Sequence, residues 1–122
     1  MSTISAANIS DGTDTVGTEY VVNGSAKAFC RGSSSGNITH SFNISSLTDN
    51  GVGSYAYNTT NDYASDTSVT QTATAFGGST NTRWAQVNTS FTNASTLAVL
   101  TRNSSGSAVD TGQSATSFGE LA

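Results

Sequence analysis

Few residues in this chain are of types that do chemistry. His40 is the only histidine and Cys30 the only cysteine of 122 residues. One imidazole excludes multi-histidine metal sites and leaves acid–base work to a single ring. It also permits a Ser–His–Asp guess, but any serine-rich chain with one histidine does so, and a strand histidine near Phe42 is the plainer reading. Cys30 cannot form an internal disulfide, so the fold has to stand without that staple. It reads as a small buried hydrophobe beside Phe29, with an intermolecular disulfide or a reactive thiol as the alternative.

The eight acids are the other candidates. Glycoside hydrolysis needs two carboxyl groups about 5 to 9.5 Å apart across a sugar. Most acids here stand instead in turn contexts, Asp11-Gly12, Asp49-Asn50-Gly51 and Asp110-Thr111-Gly112, where Asp closes Asx turns. Asp11-Gly12-Thr13-Asp14 resembles part of a calcium loop but lacks further regularly spaced acids and a closing Glu. No catalytic residue, metal ligand or cofactor is therefore assigned. Tyr55, Tyr57, Tyr63 and Trp84 are the remaining candidates: a contact surface on which a sugar could stack, or core residues in a chain short of large aliphatics.

Composition sets what must position these residues. Hydrophobic residues are 34% of the chain, against about 45–50% counted with glycine in average proteins, and charged residues 10% against about 25%. About a third of the residues are Ser or Thr, with twelve Gly and no Pro. A net charge of −4 and apolar residues spread along the chain argue against disorder. Thr, Val, Ile, Tyr and Phe suit pleated strands. Lys27, Arg31, Arg83 and Arg102 are the only basic residues, too few to neutralise a nucleic-acid backbone. The start, MSTISAANIS, has neither the basic nor the apolar region of an export signal, and no run reaches the roughly 18 apolar residues of a membrane span. The expectation is a soluble protein without a signal peptide. The eight Asn-x-Ser/Thr sequons then read as surface polarity.

Apolar patches alternate with turn signals at short intervals, and no segment holds a 3.6-residue period. Residues 2–9 read as a strand carrying Ile4, followed by a turn at 11–14. Tyr20–Val22 and Ala26–Cys30 flank Asn23-Gly24, a dipeptide favoured in two-residue hairpins. In residues 37–47, Ile38, Phe42 and Ile44 fall at even positions and should share a face. Asp49, Asn50 and Gly51 build the next turn, after which Tyr55 and Tyr57 share a face. Further strands are expected over 68–76, ended by Gly77-Gly78, over 83–91, over 96–102, and over 108–121 with a break at Gly112. The sum is one all-β domain over 1–122, an antiparallel β-sandwich of about seven or eight strands. Polar strands with small side chains leave edges that proteins cover by assembly, so a homo-oligomer, a trimer by preference, is expected.

Three stretches add a resemblance. YVVNGSAKAF (20–29), SFNISSLTDNGVGSY (41–55) and the ending SFGELA (117–122) resemble a family of small β-rich virion proteins of tailed bacteriophages, especially marine ones. Residues 61–106 match only as Ser/Thr-rich β-sequence, and Phe29 stands where the family tends to have Trp. The resemblance implies a non-enzymatic protein on the virion surface, made in the host cytoplasm. Its partners would be its own copies and other virion proteins of the tail, collar or major capsid, with host surface polysaccharide as a further contact. It favours a short fibre or tail-attached protein. The alternative is a capsid decoration, or cement, protein, which a complete chain of 122 residues suits. A small glycan-acting hydrolase or carbohydrate-binding domain is the reading from another class.

Overall fold

The computed structural model describes residues 2–77 and 82–122. It is an all-β sandwich of two four-stranded antiparallel sheets, preceded by an N-terminal arm. The arm holds strands β1 (Asn8–Ser10) and β2 (Thr15–Gly17), paired as a hairpin, and helix α1 (Thr18–Gly24). The front sheet has the order β4-β3-β10-β7, from β3 (Ala28–Gly32), β4 (Ile38–Phe42), β7 (Thr70–Phe76) and β10 (Gly112–Phe118). The back sheet has the order β5-β6-β9-β8, from β5 (Ile44–Asp49), β6 (Ser54–Thr59), β8 (Arg83–Val87) and β9 (Thr96–Asn103).

The core lies between the sheets and is built by alternation. Ala28 and Cys30 of β3 and Ala115 of β10 meet Tyr55 and Tyr57 of β6 and Leu97 and Val99 of β9, with Tyr63 closing one end. Three tyrosines thus fill the volume that larger aliphatics occupy in richer cores. Their hydroxyls need partners when buried. Tyr55 OH donates to Asp110 Oδ1 at 3.1 Å, and Tyr63 OH meets Ser117 Oγ.

The β5–β6 hairpin has the expected turn. Asp49 Oδ1 accepts the Gly51 N–H at 2.9 Å, and Gly51 has φ +110°, a region where a side chain costs energy. Register follows, with Asp49 opposite Tyr55 and Leu47 opposite Tyr57.

Several expectations are corrected. Asn23-Gly24 closes no hairpin: Tyr20–Val22 lie in α1, the dipeptide forms the last two residues of that helix, and extended Ser25 caps it. The residues before Thr18 are already paired within the arm, so no strand stands beside 20–22, and β-propensity without a partner strand carries little weight. Thr18 is tied instead to β1's approach, its N–H donating to Ala7 O at 2.9 Å and its hydroxyl to Ala6 O at 2.8 Å.

Residues 37–47 are likewise not one strand. Asn43 adopts φ +55° and the chain crosses there from front to back sheet. Asn tolerates this left-handed conformation. Its side chain fixes the corner, Oδ1 accepting the Asn61 N–H at 2.8 Å and Nδ2 donating to Asn61 O at 3.1 Å. Phe42 therefore points out of the front sheet at 55% exposure, while Ile44 packs on the core. A register shift between Ile44 and Ser46 then lets Leu47 face inward as well.

Gly112 begins β10 rather than breaking a longer strand, and Ile4 is extended and exposed ahead of β1. Gly78, expected to end a strand with Gly77, lies outside the described residues.

Candidate functional site

The four-residue aromatic contact surface does not assemble. Tyr55, Tyr57 and Tyr63 are buried to 2% exposure or less, because their strands turn them between the sheets. Trp84 alone is at the surface, on β8, with its indole N–H donating to Asn103 O at 3.1 Å.

Five of the eight acids use their carboxylates to build turns and loops. Asp11 Oδ1 accepts the N–H groups of Thr13 and Asp14, each at 2.9 Å, and these bonds hold its carboxyl below the usual range. Asp110 Oδ1 accepts the Gly53 N–H at 2.7 Å beside its bond from Tyr55, and Asp66 Oδ1 accepts from Ala94 at 2.8 Å. Asp62 Oδ1 takes the Thr59 hydroxyl at 2.9 Å. Among the described residues no three His, Cys, Asp or Glu side chains gather into a metal-binding set.

Cys30 is 2% exposed, and burial pushes its thiol up to about 12. A thiol that stays protonated is a poor nucleophile. The Tyr57 hydroxyl and the Gln113 amide lie with it beneath Gly32, where an added Cβ would sit 2.7 Å from Gln113 Nε2. This polar cluster is sealed inside the sandwich.

Sequence reasoning overlooked that Gly32-Ser33-Ser34-Ser35-Gly36 has the Gly-x-Ser-x-Gly spacing of a nucleophile elbow. That motif needs a strand-to-helix turn. Here it is the connection between antiparallel strands, closed by the Gly36 N–H on Ser33 O at 3.2 Å. Ser33, Thr39, Arg31 and His40 do share a cleft with Phe76, but no carboxylate lines it to orient the imidazole.

What the structure brings together is a surface that residue types alone did not reveal. On the outer face of the front sheet, Phe29 stands opposite Phe42 and Arg31 opposite His40. The Phe29 ring lies 5.8 Å from that of Phe42 at 24° and 5.4 Å from that of His40 at 33°. The Arg31 guanidinium lies 4.2 Å from the centre of the Phe76 ring, a cation–π contact reaching across β10. Gly112 permits it: a Cβ there would collide with the Phe76 ring. The legible signal was the i, i+2 spacing of Phe29/Arg31 and His40/Phe42 on either side of a Ser/Gly turn. It was obscured because 37–47 read as one strand with Phe42 on the face of Ile38 and Ile44.

The second unpartnered surface is the arm. Ile4, Ile9, Val21 and Val22 line an open cleft of 490 Å³, and Ile9 and Val16 line another with Asp11 and Asp14. Val21 and Val22 are 43% and 60% exposed, so these side chains gather without being covered. Among the described residues no helix is long and apolar enough to cross a membrane. No protein-family model, curated protein or solved structure matches this chain.

Proposed function

We propose that this chain is a non-enzymatic structural protein on the surface of a tailed-bacteriophage virion, a short fibre or tail-attached protein that assembles with its own copies. The observation that carries the reading is the arm: a hairpin and a short helix that leave their apolar side chains exposed ahead of a self-contained sandwich. Exposed apolar clusters of this kind mark contact with other protein. The resemblance at residues 20–29, 41–55 and 117–122 supplies the setting. Carboxylates spent on loops and a buried, protonated Cys30 support a role in building rather than catalysis. Host surface polysaccharide remains a further contact for the exposed loops.

The test is immunogold labelling of intact virions with antibody against this chain, with copy number read from stained gels. Label on tail or collar at tens of copies is expected. Label over the whole head at hundreds of copies would make it a cement protein instead, and unlabelled particles would overturn the virion assignment.

A further inference from the structure

Two surfaces lack a partner in this chain, and their chemistry is complementary. The arm carries Asp11, Asp14 and Glu19 with no Lys or Arg before Lys27, and its clefts are lined by aliphatic side chains. The outer face of the front sheet carries Phe29, Phe42 and Phe76 with Arg31 and His40. None of the four strands of that sheet holds an Asp or Glu, although the chain as a whole has eight. An acidic aliphatic element and a cationic aromatic face thus occur once each per copy.

Area points the same way. A compact monomer of 12.4 kDa should expose about 6,100 Å². The chain exposes 7125 Å². The excess, roughly 1,000 Å², is of the size that one partner contributes to a stable protein interface.

We propose that the arm of one copy docks on the outer face of the front sheet of a second copy. Ile9, Val21 and Val22 cover the phenylalanine rings, while Asp11 and Asp14 reach Arg31 at the rim. The contact is heterologous, arm to face, and each copy offers one of each, so it closes where the rotation between copies closes, here as the expected ring of three. This rests on the self-association in the reading above and not on the virion assignment. A failed virion labelling leaves it standing, and its own failure leaves that labelling unexplained but intact.

Two full-length variants test it, Val21→Cys and His40→Cys, made in a chain whose own Cys30 is buried. Under mild oxidation the mixture should give a disulfide-linked pair containing one of each, at least about tenfold above either variant alone. Adding Arg31→Glu to the His40→Cys chain should lower that yield several-fold, and adding Asp14→Lys to the Val21→Cys chain should restore it, a rescue that simple damage to the fold does not give. Linked pairs of one variant alone would mean arm-to-arm or face-to-face contact and overturn the proposal. So would closure within a single chain when both cysteines are placed together, or no linkage at all between variants whose circular dichroism matches the parent.

Discussion

Gly53 is more tightly constrained than Gly51, although only Gly51 stood out in the sequence. Gly51 has φ +110° with open space around a Cβ, so Gly51→Val meets only the left-handed penalty of about 1–2 kcal/mol. Gly53 has φ +67° and a Cβ there would lie 2.5 Å from Thr101 O and 2.8 Å from Val109 N. Gly53→Ala should therefore cost roughly 2–4 kcal/mol, strain and overpacking together, as read by urea unfolding. Equal losses at the two positions would contradict the packing of Val109 on this loop. Turn chemistry made Gly51 legible through its Asp-Asn-Gly context, whereas Gly53 depends on backbone 48 and more residues away that local sequence does not reveal.

Cys30 supplies a prediction of another kind. Its thiol moves from an ordinary 9.0 to about 12 on folding, chiefly through burial, so the folded state keeps a proton that the unfolded state releases. The associated stability is complete below pH 9 and is lost as pH rises from there to about 12. Each such group removes roughly 1 kcal/mol per pH unit across its window. Tyr55 and Tyr57, also raised by burial, act in the same direction from their ordinary value of 10.0 upward. Denaturant midpoints should fall between pH 9 and 10 in the parent chain and stay nearly level there in Cys30→Ala, after allowing for the smaller core side chain.

At the scale of elements, the corner at Asn43 decides which sheet each half of 38–49 joins. Asn43→Gly keeps the positive φ and loses only the side-chain bonds to Asn61; Asn43→Val loses both. The valine variant should be about 2–3 kcal/mol less stable than the parent, with glycine between them, in thermal or urea unfolding. Valine equal to glycine would remove backbone conformation from the account. The alternation that placed Tyr55 and Tyr57 on one face was readable because β6 is straight and flanked by clear turns. The same rule failed at 38–44, since left-handed Asn43 separates Phe42 from Ile44 and a register shift opposite Arg31 and Gly32 separates it from Ile38, which packs on the core. It failed again at 20–24, where valines were weighed without knowing that β1 and β2 had already paired with each other.

For the molecule as a whole, strand pattern and composition were enough to reach an antiparallel sandwich. The arm was not legible, because its apolar residues look like strand residues of a core, and exposure is a property of the assembled chain. The mass in solution is the decisive quantity. Light scattering at micromolar concentration should give about three times 12.4 kDa, falling toward the monomer in Arg31→Glu and, because the rim contact is charged, in the parent at about 1 M salt. A monomer from the parent under all conditions would leave the arm and the aromatic face without each other.

The order of the front sheet has a consequence for synthesis. β10 lies between β3 and β7, pairing Ala115 with Cys30 on one side and with Ala73 on the other. Until residue 118 has left the ribosome, the two inner edges of that sheet have nothing to pair with and half of the core has no wall. Closure of the front sheet must therefore wait until residues through Phe118 have emerged, and a nascent chain stalled before Gly112 should remain open to protease along all of its front-sheet strands.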